Sequence, residues 1–476
     1  MRHRAFAMLV CGLLAGCTVG PDYHRPQVDT PDAYIYEPEQ VADTANTEWW
    51  KQFDDSVLDQ LIAEALANNK NVKIAAANVE QAAGVLTTTR SQLFPQIGYE
   101  ADANRQRLSG NTAIPLTPGT ANPLNNYQAL ATASWEIDLW GRIRRQTEAA
   151  RANLLATDEA RRGVILSLVA QVANSYIQLR GLDEQLEISK RTLGAYAESL
   201  KLFELQFKYG QVSQMTVAQA QSQYETAAAQ VPLIERQIAQ LENAISVLLG
   251  HNPGSIPRGK TIFTLALPAI PEGVPSQLLE RRPDLRQAEQ QLIAANAQIG
   301  AAKAQYFPTI SLTGAFGGVS ADLNNLFKGP SRAWNFGGSI IGPIFTAGSI
   351  SGQVAQATAA QKAALLSYEL AIQNAFADVE SSLVARQKLG EQVAAQEQLV
   401  LALKDYSRLA RLQYNGGYAP YSTVLQAEQQ LFPTELTWAA TRAQLFASLV
   451  GVYQSTGGGW VNEADKLAPQ PLAGSN

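Results

Sequence analysis

The side chains that most often carry catalysis or bind metal ions are scarce in this sequence. Of its 476 residues, three are histidine and two are cysteine, and only Cys17, His24 and His251 lie beyond the first 16 positions. Zinc sites and Cys–His or Ser–His nucleophile systems need more such side chains, and no nucleophile elbow or phosphate-binding loop is visible. A net charge of −5 argues against a nucleic-acid partner. We therefore predict a protein that is not an enzyme and holds no metal or cofactor.

Four carboxylates stand in segments where polar and apolar residues alternate. Glu100 and Asp102 do so in segment 97–106, and Glu136 and Asp138 in segment 127–138. An apolar face opposite a polar face over about ten residues is typical of a transmembrane β-strand beside a water-filled lumen. We expect the four carboxylates to face such a lumen and to favour cations and neutral amphiphiles. The alternatives are a soluble hairpin packed on helices and ordinary solvated carboxylates.

A long helical pattern follows these strands. From Ile165 to Phe207, thirteen positions spaced alternately by three and four residues are apolar except for two serines. This spacing predicts the heptad seam of a helix that packs lengthwise against partner helices. Tyr209–Ser213 interrupts the pattern, which then resumes as far as Gly250. We therefore predict a long helical hairpin.

The same order of patterns occurs twice. At one constant offset Gly141 corresponds to Gly348 and Gly210 to Gly417, so we predict a tandem duplication. The expected fold class is α plus transmembrane β, with mostly long helices in coiled-coil hairpins and four β-strands per protomer. The expected parts are a signal peptide (1–16), an N-terminal arm (17–53), a first repeat (54–249, strands about 96–108 and 126–139, hairpin 142–249), a linker or equatorial segment (250–275), a second repeat (276–457, strands about 309–319 and 333–345, hairpin 349–457) and a polar C-terminal tail (458–476).

Four strands are too few to close a barrel, for which about eight is the small end. An open sheet would leave unpaired backbone groups in lipid, which is not tolerated. A membrane-spanning sheet of this kind therefore needs several copies of the chain. A trimer would supply twelve strands.

The first residues resemble a bacterial lipoprotein signal. Arg2 and Arg4 precede an apolar run, and Leu14-Ala15-Gly16-Cys17 follows it. The resemblance implies cleavage before Cys17 and lipid, including palmitate, on its sulfur. Because Thr18 stands where an acidic residue would retain a lipoprotein at the inner membrane, the expected destination is the outer membrane. An ordinary signal peptide and a short anchor helix are the alternatives.

Motifs along the whole mature chain resemble the TolC-like outer membrane factors, and within them the lipoprotein (NodT-type) efflux channels of resistance-nodulation-division pumps. The motifs are Thr18-Val19-Gly20-Pro21-Asp22-Tyr23, Trp49-Trp50, Phe94-Pro95, the run Trp135–Arg142, the run Leu279–Leu285 and Gly457-Gly458-Gly459-Trp460. The resemblance implies a homotrimer with a twelve-stranded outer-membrane β-barrel that continues as a periplasmic α-helical barrel. It also implies two partners, a periplasmic membrane fusion (adaptor) protein and an inner-membrane pump. The implied function is a passive duct for drugs or other toxic small molecules.

The resemblance also assigns candidate sites at the periplasmic end. It places partner docking at the turns of the two hairpins, namely Lys208, Tyr209, Gly210, Gln211, Val212 and Ser213, and Tyr414, Asn415, Gly416, Gly417, Tyr418 and Ala419. It places a constriction among Tyr406, Arg408, Arg411, Tyr414, Gln426 and Glu428. The family motif Leu-Asp-Ala-Gln appears here as Leu425-Gln426-Ala427-Glu428, so Gln426 replaces the expected acid and puts a charged ring at that level in doubt.

The seam of the second hairpin carries more polar residues than that of the first, among them Ser382, Arg386, Gln396 and Ser407. Polar seam positions lower the stability of a coiled coil. We therefore predict that the second hairpin moves more than the first when the channel opens. Two other functions share parts of this pattern: the outer channel of a protein or oligosaccharide secretion system, and a structural coiled-coil lipoprotein of the outer membrane.

Overall fold

The computed structural model describes residues 18–28, 31, 33–36, 46–111, 119, 121–270 and 278–471. The expected signal peptide and Cys17 lie outside these residues. The chain divides into two compact units. The first comprises Met1–Pro26, Glu80–Ala156 and Ala288–Tyr368, and the second comprises Gln27–Val79, Thr157–Gln287 and Glu369–Asn476.

The described residues are mostly helical, with one small sheet. In chain order the elements are α1 (Ser56–Asn68), α2 (Lys70–Ser91), β1 (Gln96–Gln106), β2 (Leu124–Ile137), α3 (Arg142–Lys208), α4 (Gln214–Leu248), α5 (Leu278–Arg281), α6 (Pro283–Ala304), β3 (Thr309–Ser320), β4 (Arg332–Ile341), α7 (Ser349–Asn415), α8 (Tyr421–Thr456) and α9 (Trp460–Leu467). No helix among them is both long and apolar enough to cross a lipid bilayer.

The first unit contains a four-stranded antiparallel sheet in the order β1-β2-β3-β4. Each half of the chain supplies one hairpin, and the hairpins are joined through β2 and β3, where Ile137 pairs with Ile310. Side chains of directly paired residues share a face of a sheet. The pairing register therefore determines which side chains of neighbouring strands lie on the same face of the sheet.

The second unit has a core built around aromatic rings. Trp49 stacks on Tyr453, with ring centroids 5.0 Å apart, and Trp460 meets Trp49 and Trp50 edge-on. Trp49, Trp50 and Phe53 are buried in a short 3-10 turn. The expected extended arm therefore ends before this turn, because its last residues enter the core.

The C-terminal residues differ from the expected loose tail. Trp460–Leu467 forms the helix α9, and Trp460, Val461 and Ala464 are buried in the core cluster. The buried guanidinium of Arg161 also donates to both carboxylate oxygens of Asp465, at 2.6 and 2.9 Å. The prediction of a loose polar tail is wrong for this helix, because Trp460, Val461 and Ala464 share its buried face and Asp465 is held by Arg161.

The helical seams of the second unit follow the expected positions. In α3 the side chains from Ile165 to Phe203 that occupy the seam are buried or half-buried, and Phe207 at its end is exposed. In α7 the polar seam residue Ser407 is buried, and Arg386 and Gln396 are half-buried. The seam of the second hairpin thus encloses the charged or amide side chains of Arg386 and Gln396, whereas the polar seam residues of the first hairpin are two serines.

Candidate channel surface and helix turns

One face of the sheet is apolar and open to its surroundings. Tyr99 pairs with Ala131, Ala131 with Phe316, and Phe316 with Trp334. The rings of Trp334 and Phe336 are stacked with centroids 5.5 Å apart, and Tyr99 and Phe336 are 90% and 80% exposed. An apolar patch of this extent marks a surface that contacts lipid or another protein.

The opposite face of the sheet is polar. Glu100 lies opposite Leu130, and Asp102 lies opposite Gln128. The side-chain amide of Gln128 also donates to Glu100 across the strands at 2.8 Å. The structure therefore places Glu100 and Asp102 together on one face, exposed, with no basic partner at hydrogen-bond distance among the described residues.

Glu136 and Asp138 differ from these two carboxylates. Glu136 accepts three hydrogen bonds from Arg142, at 3.3, 2.9 and 2.8 Å, and is half-buried. Asp138 follows the end of β2, and its carboxylate accepts from the backbone N–H groups of Ile143 and Arg144 at 3.0 and 2.8 Å. These N–H groups have no partner inside the helix. The expectation that Asp138 faces a lumen from a strand is wrong, because it caps the start of α3.

The first helix turn is stabilised by backbone hydrogen bonds around Gly210. Gly210 has a φ of 72°, which glycine adopts without steric cost. The N–H of Gln211 donates to the carbonyl of Gln206 at 2.8 Å, which closes the end of α3. Ser213 caps α4 through the N–H of Thr216, and the ring of Tyr209 is exposed.

The second helix turn repeats this geometry. Gly417 has a φ of 76°, and the N–H of Tyr418 donates to the carbonyl of Gln413 at 2.9 Å. Tyr418 is 88% exposed. Tyr414 instead points inward and lies 5.6 Å from the ring of Tyr421, so of the two tyrosines only Tyr418 presents its ring at the surface of the turn.

Arg411 and Glu428 form an ion pair between the two helices of the second hairpin. The Nε of Arg411 donates to Oε1 of Glu428 at 2.8 Å. Glu428 is 5% exposed, and burial raises the pKa of its carboxyl group, although Arg411 opposes that shift. The structure therefore joins two of the expected constriction residues.

The other constriction candidates have separate surroundings. Arg408 pairs with Asp405 on its own exposed helix face at 2.7 Å. Tyr406 is half-buried against Ala410 and Val424. Gln426 is exposed, so its side chain does not enter the packed interior of the second unit.

Sequence reasoning missed a second ion-pair group. Glu435 on α8 is nearly buried and contacts Lys404 of α7 at 2.9 Å and Arg191 of α3 at 3.3 Å. This carboxylate therefore joins the first hairpin to the second. Its spacing of seven residues from Glu428 is the signal that could have found it, because residues seven apart share a helix face.

The family of the chain follows from a comparison with known sequences. The sequence model described as outer membrane efflux protein matches residues 61–251 and 274–458. This chain belongs to the outer membrane efflux protein family. Members of this family are outer-membrane channels that work within tripartite pumps and are not themselves enzymes.

Relatives and solved structures agree over nearly the full length. The solvent efflux pump outer membrane protein SrpC of Pseudomonas putida is 37% identical over 469 residues, which cover 97% of this chain and 99% of SrpC. The cation efflux system protein CusC of Escherichia coli O6:H1 is 35% identical over 453 residues, which cover 94% and 96%. The crystal structure of the Campylobacter jejuni CmeC outer membrane channel matches with a TM-score of 0.87 at 26% identity, covering 96% of this chain and 100% of that one.

The relatives are named as outer-membrane proteins of efflux pumps, and this shared role gives the function of the chain. The chain is the outer-membrane channel of an efflux system, as its resemblance to the TolC-like channels implied. Within the described residues no group of three His, Cys, Asp or Glu side chains is placed to hold a metal ion.

Proposed function

We propose that three copies of this chain form a passive duct, with a twelve-stranded outer-membrane β-barrel that continues as a periplasmic α-helical barrel. The observation that carries the proposal is the sheet, which has one exposed apolar face, one polar face and, within the described residues, two edge strands, β1 and β4. In lipid the edge backbone groups need partners, and β1 of a neighbouring copy can supply them to β4. The apolar face then contacts lipid, and Glu100 and Asp102 face the lumen.

A tandem duplication underlies this protomer. The family model matches two ranges of similar length. In each half a 22-residue helix precedes a β-hairpin and a 67-residue helix follows it. Two copies of one ancestral unit explain why both halves supply the same elements in the same order.

The cargo of the duct is small toxic compounds such as drugs and solvents. The relative SrpC is named for solvent efflux and matches 97% of this chain. The relative CusC, named for cation efflux, makes cations the alternative cargo. A lumen that carries Glu100 and Asp102 suits cations and neutral amphiphiles better than anions, because like charges repel.

The periplasmic end binds partners and opens the duct. The two turns 208–213 and 414–419 dock a membrane fusion (adaptor) protein, which links the channel to an inner-membrane resistance-nodulation-division pump. Exposed Tyr209 and Tyr418 support this assignment, because aromatic side chains are enriched at protein interfaces. The constriction involves Tyr406, Arg408, Arg411, Tyr414 and Glu428, whereas the exposed Gln426 supplies no charge.

The second hairpin moves more than the first during opening. Its seam encloses Ser407, Arg386 and Gln396, which pack less favourably than apolar residues. Cysteine cross-links that fix each hairpin in turn to its neighbouring copy test this order of movement. Transport should stop when the second hairpin is fixed, and the idea is wrong if only fixing the first hairpin stops transport.

The channel is anchored by lipid on Cys17 in the outer membrane. The N–H of Val19, two residues later, donates to the carbonyl of Trp140 at 3.1 Å, directly after β2. Nearby, Arg145 binds Asp22 at 2.7 Å. The start of the mature chain is thus held at one end of the sheet, where an acyl chain reaches the membrane. Mass spectrometry of the N-terminal peptide should show a lipidated cysteine, and Cys17→Ser should lack it.

Conductance in planar bilayers tests the duct. The purified trimer should give discrete channel openings, and Asp102→Asn should reduce the preference for cations. Glu391→Gln is the control and should leave that preference unchanged, because Glu391 is exposed, pairs with Lys388 and is not among the constriction residues. A folded trimer without conductance would exclude the duct and favour a structural coiled-coil lipoprotein. Export of a solvent or drug with a candidate pump, and no export of proteins or oligosaccharides, would then separate efflux from secretion.

A further inference from the structure

A cavity of about 360 Å³ lies between α3, α7 and α8 in the second unit. Its volume falls within the range of small-molecule sites, roughly 300–1,000 Å³. Its walls combine apolar and aromatic side chains with charged groups at two ends, which are the two ion-pair groups of Glu428 and Glu435. The efflux function proposed above assigns Arg411 and Glu428 to the constriction, but it gives no role to the space between them and Glu435.

At the Glu428 end, one carboxylate oxygen lacks a hydrogen-bond donor among the described residues. Oε1 of this nearly buried carboxylate is bound by Arg411, but Oε2 is buried and has no partner among the described residues. A buried acceptor without a donor is costly, and such groups call for an explanation. The terminal torsion of a glutamate is soft, so a small rotation of the carboxyl group presents Oε2 to a donor in the cavity.

The end at Glu435 has donors to spare. Lys404 and Arg191 both contact this carboxylate, and both side chains are about half exposed. An ammonium has three donors and a guanidinium has five, so each keeps donors for a further acceptor. Two cations therefore face one carboxylate here, which favours an anionic group at this end of the cavity.

The distance between the two ends sets the length of a ligand. Seven helical residues separate Glu428 from Glu435, a rise of roughly 10 Å. Tyr196 and Phe432 line the space between them, and both are buried. A benzene ring with one polar group at each end spans the distance from Glu428 to the cations at Glu435, when each polar group makes one hydrogen bond to its end of the cavity.

We propose that this cavity binds a small aromatic hydroxy acid. The hydroxyl group donates to Oε2 of Glu428, the ring lies against Tyr196 and Phe432, and the carboxylate accepts from Lys404 and Arg191. A ligand with a cation in place of the hydroxyl group is disfavoured because Arg411 would repel it. A ligand without the carboxylate leaves Lys404 and Arg191 to donate to water instead. The bound ligand joins α3, α7 and α8, so binding stabilises their arrangement.

Isothermal titration calorimetry of the detergent-solubilised full-length chain tests the site with 4-hydroxybenzoate as the probe. We expect a Kd on the order of 0.1–1 mM for a ligand of this size. Benzoate lacks the donor for Glu428, and phenol lacks the carboxylate for Lys404. Each should bind about tenfold more weakly, since each loses a hydrogen bond to a charged group.

Two variants assign the two ends. Glu428→Gln replaces the charged acceptor with a neutral amide, so the hydroxyl group makes only a weaker neutral hydrogen bond and 4-hydroxybenzoate should lose about tenfold in affinity. Lys404→Gln removes a cation that binds the ligand carboxylate. Since phenol has no carboxylate, the affinities for 4-hydroxybenzoate and phenol should become close to each other. Glu391→Gln is the matched control, since Glu391 is exposed, pairs with Lys388 and does not line the cavity.

Three results would overturn the proposal: no binding of 4-hydroxybenzoate, equal binding of benzoate, or full affinity in a folded Glu428→Gln variant. The first would leave water as the only occupant of the cavity. These measurements require neither conductance nor a pump. Failure of the ligand site and failure of the proposed duct are therefore distinguishable.

Discussion

Replacing Trp460 with alanine tests whether α9 is part of the core of the second unit. The indole is fully buried, and its ring centroid lies 5.8 Å from that of Trp49 and 6.0 Å from that of Trp50. Truncating a buried tryptophan to alanine costs about 3–5 kcal/mol, through lost transfer free energy and the cavity left behind. The lost edge-on ring contacts add on the order of 1 kcal/mol. We expect the free energy of unfolding to fall by about 4–6 kcal/mol.

The variant Trp460→Phe separates packing from hydrogen bonding. The indole Nε1 is buried and has no hydrogen-bond partner among the described residues. Phenylalanine therefore loses ring area but also removes an unsatisfied donor, which by itself costs about 1–3 kcal/mol. We expect Trp460→Phe to lower the free energy of unfolding by no more than about 2 kcal/mol.

Urea unfolding followed by helical circular dichroism measures both effects. Leu467→Ala is the control in the same helix, since Leu467 is 47% exposed and should cost less than about 1 kcal/mol. The reasoning fails if Trp460→Ala is no more destabilising than Leu467→Ala. It also fails if Trp460→Phe is as costly as Trp460→Ala, because the indole N–H would then contribute what we assign to packing.

Two further predictions concern close packing and pH. In Gly259→Ala the new Cβ would lie 2.1 Å from Oδ1 of the buried Asp55. We therefore expect urea unfolding to show a free energy of unfolding lower by about 2 kcal/mol or more. In the control Gly254→Ala the new Cβ has no atom nearer than 3.9 Å, so the free energy of unfolding should change little. Because burial raises the pKa of Glu428 above the ordinary 4.5, the folded chain binds more protons, and stability falls as pH rises from 4.5 through the raised pKa. Glu428→Gln should remove this fall, so its stability relative to the wild type should rise between about pH 4 and pH 8 in urea unfolding; a difference that does not vary with pH would contradict the shift.

The strands were predictable from the sequence because their signal is local. The alternation of apolar and polar residues has the period of a strand, and Phe94-Pro95 and Tyr306-Phe307-Pro308 mark where the helical period ends. The bounds of the four strands in the structure differ from the expected ones by at most four residues. The largest difference is at the end of β4, where Gly342-Pro343 stops the strand at Ile341, because proline offers no N–H to a ladder.

The features that sequence reasoning missed depend on residues far apart in the chain. Asp138 continues the alternation of β2, yet two backbone N–H groups of α3 draw its carboxylate out of the strand pattern. Glu435 gains its role only when Lys404 and Arg191 approach from two other helices. Likewise, Trp460 is buried only because the turn at Trp49 folds against it.

The pairing of β2 with β3 has a consequence for biogenesis. These neighbouring strands come from opposite halves of the chain, so the sheet cannot be completed until the second half has been exported. Pairing between distant segments is slow because the long loop between them must close first. Until then the exposed ring of Tyr99 in the first half has no apolar partner strand beyond Ala131, and a hairpin with such an unpaired edge is prone to aggregate. Slower export of the second half should therefore lengthen the time during which the chain is open to proteolysis.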